Sequence, residues 1–173
     1  MKDYPWYTVA NSDEPLNQGD LLDSCPIIEP PSDMKLGPAS VKAVEYDVAV
    51  MSQSCDLVQN NLDLVLVCPL HSFQEIAEKN ENYGAAKYKE QLRRGNLPGY
   101  HLLDRCELDG FSRDFLVVDF RNVYSIHVQR LRKLAEMQGK RLRLLPPYRE
   151  HLSQAFARFF MRVGLPVDIP AFK

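Results

Sequence analysis

Apolar positions along the chain fall into two periodicities. Residues 48–51 (VAVM) and 62–67 (LDLVLV) are short runs rich in Val and Leu, bounded by Asp, Asn and Pro, and they flank the polar segment Ser52-Gln53-Ser54-Cys55-Asp56. Runs of this length and composition predict two strands buried on at least one face, with the polar segment as a loop at their rim. Residues 41–50 alternate into the first of these strands, and a short strand over 25–28 follows the turn glycine Gly19. Residues 115–120 predict another strand and 123–126 a further one or its continuation, and 101–103 begins another after the 95–100 turn. Asp109-Gly110, between 106–108 and Phe111, is a hairpin signal.

Elsewhere the spacing is helical. Phe73, Ile76, Ala77, Tyr83, Ala86, Tyr88 and Leu92 punctuate a polar stretch from 71 to 94, interrupted near 80–84, which predicts two short helices with a break. Residues 131–137 predict a short helical turn that Gly139 stops. The clearest helix spans 146–164. Pro146-Pro147 opens it, and Tyr148, Leu152, Ala155, Phe156, Phe159 and Val163 form one apolar stripe, with Arg158 and Arg162 one turn apart on the other side. Gly164 and Pro166 close it. Residues 29–40 (EPPSDMKLGPAS) predict an exposed loop. Residues 1–15, with Tyr4, Trp6 and Tyr7, predict an N-terminal arm that docks its aromatic rings.

These elements define an α+β protein, a single domain over 1–173. A twisted, mostly antiparallel sheet carries an inserted helical segment and a C-terminal amphipathic helix. Composition agrees, since 45% apolar and 25% charged residues are globular values. The longest apolar run falls short of a membrane span, and the first five residues lack the apolar core of a signal peptide, which gives the expectation of a cytoplasmic protein with no membrane partner. Cysteines 25, 55, 68 and 106 show no C-x-x-C spacing, so free thiols and no metal or cofactor are expected.

Charge changes the picture in one respect. The net charge of −2 divides unevenly: from Gln129 onward ten Lys and Arg stand against three acidic residues. Arg130, Arg132, Lys140, Arg141 and Arg143 are therefore candidates to face phosphates or an acidic partner. A helix surface that balances the acidic remainder of the fold is the alternative.

Several segments, taken in order, resemble the PemK/MazF family of toxin-type domains. Gln18-Gly19-Asp20-Leu21-Leu22 resembles the family's opening glycine-aspartate strand, and 46–52 its next strand, which ends in a serine or threonine. Residues 62–69 resemble the third. Residues 115–126 with Leu131 resemble a late strand that runs to an aspartate and then to a basic, leucine-containing turn. About half of the chain is covered. The resemblance implies an SH3-like β-barrel and a bacterial toxin or defence setting. Two departures stand out. The arginine of the family's Arg-Pro pair, which helps cleave RNA, is missing, because the corresponding place reads Tyr46-Asp47. The helices over 71–94 and 146–164 are additions.

Three readings of the chemistry follow. A metal-independent endoribonuclease needs a base, a cation and an acid. Asp56 or Asp20 would be the base, Arg121 the cation and His101 the acid, with Ser52 and Gln53 holding the ligand. Against this, Arg121 is open to a simple ion pair with Asp119 or Asp114. A thiol enzyme would use Cys55 with His101 as its base, although the neighbouring Asp56 disfavours a thiolate. The third reading is a non-catalytic module that binds RNA or a partner protein, as a monomer or a homodimer.

Overall fold

The computed structural model describes residues 4–29, 42–59, 61–79 and 81–161. Its strands are β1 Tyr7–Asn11, β2 Leu21–Glu29, β3 Lys42–Val50, β4 Leu64–Ser72, β5 Tyr100–Leu103, β6 Leu116–Asp119, β7 Tyr124–His127 and β8 Lys140–Leu144. Its helices are α1 Ser54–Val58, α2 Phe73–Lys79, α3 Glu81–Gly84, α4 Ala86–Arg93, α5 Val128–Gln138 and α6 Tyr148–Phe160. No helix among the described residues is long and apolar enough to cross a membrane.

The two apolar runs lie side by side at the centre. Val48, Ala49 and Val50 of β3 pair antiparallel with Pro69, Cys68 and Val67 of β4. The long β4 is the axis of the sheet. On its other side residues 64–67 pair with β7 and residues 70–72 with β6, which in turn pairs with β5. The order is β2-β3-β4-β6-β5, with β7 also on β4, and every pairing is antiparallel.

Both faces are buried over residues 48–50 of β3 and 67–70 of β4, which is why the first run reads as continuous, whereas over 64–67 Leu64 and Leu66 are exposed and Val65 and Val67 buried, an alternation that the uniform Leu and Val composition hides. Val48, Val50, Val65 and Val67 pack into one cluster with Val128, Leu131 and Ala135 of α5. Ala49, Met51, Cys68 and Leu70 pack into another with Leu142 and Leu144 of β8 and Leu152 of α6. A third, smaller cluster of Ile76, Leu92, Tyr100 and Val117 seats the helical segment against the β5–β6 hairpin.

The helices follow their signals closely. In α5 the apolar residues recur at i, i+3 and i+7, the Nδ1 of His127 accepts from the Gln129 N–H at its start, and Gly139 ends it at φ +76°. Along the α6 stripe Leu152 is fully buried, while Phe156 and Phe159 meet the Phe120 ring at 5.4 and 6.2 Å. The expected helix end at Val163 to Pro166, with Arg162, lies outside the described residues, as does most of the 29–40 loop. The 71–94 segment forms three helices where two were expected. The hairpin signal holds, since Cys106 and Arg113 bridge around Gly110 at φ +74°.

Two strands depart from expectation. The N-terminal segment docks its aromatics, with Trp6 stacked on Tyr148 at 3.7 Å, but residues 7–11 are built in as β1. Its partner is β8, whose sequence KRLRL carries the charge that suggested a basic surface. The pair joins the main sheet through a bridge between Asp20 and Arg143. Among the described residues no pairing joins β2 to β7 or to β5, so the strands do not close into a hydrogen-bonded barrel.

The bridge sits on a buried ionic network. Asp20 is fully buried, and its carboxylate accepts from Arg141 Nε at 2.7 Å, from Arg143 Nε at 2.5 Å and from the Asn17 N–H at 3.0 Å. Arg141, 2% exposed, also donates to the carbonyls of Asn11, Glu14 and Pro15. Arg143 pairs with Glu14 as well, at 2.9 Å. Gly19 permits the approach, because its φ is +82° and a Cβ there would meet the Leu144 Cβ at 3.0 Å.

Removing one member of such a network leaves a buried charge uncompensated. Asp20→Ala is expected to lower the free energy of unfolding in urea by about 3–5 kcal/mol. A loss below about 1 kcal/mol would show that the network does not hold β8 in place.

Candidate functional site

The polar segment between β3 and β4 is stitched into the fold at several points. The Ser52 hydroxyl accepts from the Leu66 N–H at 2.9 Å and is nearly buried, so it finishes the β3–β4 contact and does not face a ligand. Residues 54–58, expected as a loop, form α1. The Ser54 hydroxyl accepts from the Gln18 N–H at 3.1 Å. Gln18 is buried and donates to the Met51 carbonyl at 2.8 Å, while Gln53 donates to the Ser153 hydroxyl of α6 at 3.3 Å. Cys55 is exposed and Asp56 half-buried.

Cys25, Cys68 and Cys106 are buried. Burial pushes the Cys25 and Cys68 thiols up to about 11 and about 12, away from reactivity.

Asp20 is not available as a base, since its carboxylate is enclosed by Arg141 and Arg143. Arg121 is held by a bidentate pair, its Nε 2.9 Å from Asp119 Oδ1 and its Nη2 2.7 Å from Oδ2. The guanidinium also lies 4.4 Å over the Tyr100 ring, and its stem passes close against Gly99, where a Cβ would meet Arg121 Cγ at 3.1 Å. Burial alone would raise the Asp119 carboxyl, but the hydrogen bonds from Arg121 outweigh it and the net shift is downward. Of the two ion pairs anticipated for Arg121, the one with Asp119 forms, and Asp114 binds Arg105 instead.

His101 lies on β5, stacked on the Phe120 ring at 6.2 Å, and its Nε2 has no hydrogen-bond partner. Burial, with His151 as a secondary cause, lowers its pKa to about 4. The structure keeps His101 and Arg121 on one hairpin but separates them from Cys55 and Asp56. Helix α6 stands between: Ser153 meets Gln53, whereas His151, Gln154 and Arg158, on another face of the helix, meet His101. Among the described residues no hydrogen bond or ion pair joins Asp56 to Arg121 or His101, or Cys55 to His101, and none of the cavities brings them together.

The basic candidates also divide. Arg141 is buried and Arg143 almost so, which removes both from any nucleic-acid surface. Arg132 is half-buried and donates to the Leu57 carbonyl at 3.0 Å. Arg130 and Lys140 are exposed.

The sequence reading missed a basic cleft of about 370 Å³ between the end of α4, β5 and α6. Arg93, Arg94, His101, His151, Gln154 and Arg158 line it. Only the spacing of His151, Gln154 and Arg158, one face of a helix at i, i+3 and i+7, hinted at it. Compared with protein-family models and with curated proteins, the chain matches none.

A histidine kept neutral by the fold destabilises it in acid. The unfolded chain takes up this proton below about pH 6.5 and the folded one only near 4. Stability should fall as pH drops through that window, by up to about 3 kcal/mol from this residue. His101→Gln is expected to flatten that part of the profile in thermal melts between pH 6.5 and 4. An unchanged slope would mean that His101 is solvated.

Proposed function

We propose that the chain is a divergent PemK/MazF-like domain acting as a non-catalytic binding module for nucleic acid in a bacterial toxin or defence system. The observation that carries this reading is the dispersal of the candidate catalytic groups. Hydrolysis of a phosphodiester through the 2′-hydroxyl requires base, cation and acid around one phosphorus. Here Asp20 is enclosed by arginines, Arg121 is engaged by Asp119, and His101 lies across α6 from Asp56.

The SH3-like barrel belongs to the same proposal. Strands β2, β3, β4 and β7 are its staves, open between β2 and β7. Across that opening the Glu29 carboxylate of β2 accepts from the Tyr124 hydroxyl of β7 at 2.6 Å, a side-chain link in place of a ladder, and it also accepts from Tyr46 of the neighbouring β3 at 2.9 Å. Cations still exposed, such as Arg130, Lys140 and Arg158, favour a phosphate-bearing ligand. A partner protein is the second reading, favoured by the exposed apolar side chains of Ile28, Leu64 and Leu66.

Fluorescence anisotropy with a labelled single-stranded RNA tests the proposal. Binding is expected without cleavage. The logarithm of affinity should fall against that of salt by about 0.7 per phosphate contacted. RNA cleaved without added metal, and left intact by a folded Arg121→Ala variant, would establish the endoribonuclease instead. A salt-insensitive complex with a protein and no RNA binding would favour the second reading.

A further inference from the structure

The cleft between α4, β5 and α6 lies outside the segments that resemble the PemK/MazF family, and its composition is specific. We propose that it is a binding site for one terminal phosphate monoester, held by Arg158, His151 and the two α4 arginines, with His101 taking up a proton as the phosphate enters.

Charge comes first. Arg93 and Arg94 enter from α4, and both contact Glu90, with Arg93 Nε 2.8 Å and Arg94 Nε 2.5 Å from its carboxylate. All three side chains are well exposed, so these pairs are weak and the guanidiniums can turn toward a ligand. Arg158 enters from α6 and pairs with no carboxylate among the described residues. Three arginines against one glutamate leave the cleft at about +2, which matches the charge of a phosphate monoester near neutral pH.

The donors point to the same ligand class. Three guanidinium forks, two imidazoles and the Gln154 amide offer more N–H groups than a carboxylate can accept, whereas a phosphate presents three free oxygens. The volume, about 370 Å³, leaves room for part of the molecule that carries the phosphate.

His101 supplies the independent sign of a ligand. His101 lines the cleft, and its Nε2 is buried just beneath that surface without a partner, an arrangement that costs stability unless the ring shifts to meet a group there. Phe120 stacks on it, His151 acts on it electrostatically, and Tyr100, Arg93, Arg94 and Arg158 share the lining of the cleft with it. Glu150 is turned to Arg149 and does not line the cleft. Burial, with His151 as a secondary cause, keeps His101 neutral in the empty site. An entering dianion opposes that and favours the imidazolium, so binding draws in a proton.

The phosphate has two possible sources, a mononucleotide or the end of a nucleic-acid strand, and only the second rests on the binding function proposed above. The test is isothermal titration calorimetry of the whole chain, in buffers of different ionisation enthalpy and free of other oxyanions. The probes are inorganic phosphate, AMP, and one pentaribonucleotide with either a 5′-phosphate or a 5′-hydroxyl. Inorganic phosphate and AMP should bind with net proton uptake. Arg158→Ala should weaken both about tenfold or more. His101→Gln should bind with the proton uptake lost, and far-ultraviolet circular dichroism with a melting curve confirms that each variant folds.

A 5′-phosphorylated oligonucleotide that binds much more tightly than AMP assigns the site to strand ends, and equal affinity assigns it to nucleotides. No binding of inorganic phosphate or AMP, or binding indifferent to a folded Arg158→Ala variant, overturns the inference. The two proposals fail separately. A chain that holds the 5′-hydroxyl oligonucleotide but no phosphate keeps the nucleic-acid function and loses this site. One that holds phosphate through Arg158 but no oligonucleotide keeps the site and loses the nucleic-acid function.

Discussion

The fold depends on the pairing of Asp20 with Arg141 and Arg143. Taking such charges out of water costs several kcal/mol per ion unless each is matched and hydrogen-bonded. Here the match is close to complete. Two arginines face two carboxylates, Asp20 and Glu14, so the group is neutral, and Arg141 finds three backbone carbonyls besides. Those carbonyls belong to Asn11, Glu14 and Pro15, in the segment that leads from β1 toward β2. The network therefore sets where β1 and β8 attach, and with them the floor on which α6 packs. An apolar core alone would not fix that register, because Leu142 and Leu144 alternate with arginines that must go somewhere.

The second constraint is the burial of both faces where β3 and β4 meet, over residues 48–50 and 67–70. A strand with one wet face tolerates a helix on the other and nothing more. These strands need cover twice, and they receive it from α5 on one side and from β8 with α6 on the other. The terminal helix thus completes the domain and also walls off the Ser52–Asp56 segment from the β5–β6 hairpin. Through Ser153 it holds Gln18 and Gln53 on one side, and through His151, Gln154 and Arg158 it lines the cleft on the other. The separation of Asp56 from His101 is a consequence of that packing.

This division explains what could be read from residues and what could not. Periods of two and of 3.6 placed the central strands, the β5–β6 hairpin, α5 and α6, since each buries a stripe that the local sequence displays. Strand β8 escaped because KRLRL has the right alternation but places arginine where a buried residue belongs, and only the distant Asp20 makes that tolerable. Strand β1 escaped with it, having no partner to suggest it. The same distance misled the choice of site residues. Asp20, Arg141 and Arg143 are reactive types in a suggestive order, yet they satisfy one another. The cleft draws on Arg93, His101 and Arg158, which no local window contains.

Incompletely matched positive charge gathers at the cleft between α4, β5 and α6 more than around the strands. Around those strands most arginines are answered by carboxylates, Arg105 by Asp114, Arg113 by Asp23, Arg121 by Asp119, Arg141 and Arg143 by Asp20, while Arg130 and Lys140 stay exposed. A cation paired in this way contributes little field beyond its own partner. On the added helices the pairing is incomplete, with two arginines sharing Glu90 and Arg158 meeting no carboxylate among the described residues. An anion approaching the domain therefore meets a cluster of incompletely matched arginines at the cleft lined by α4 and α6. Strand β5 adds His101 to the lining of that cleft, with its imidazole buried, unpartnered and stacked on Phe120, the ring against which Phe156 of α6 also packs.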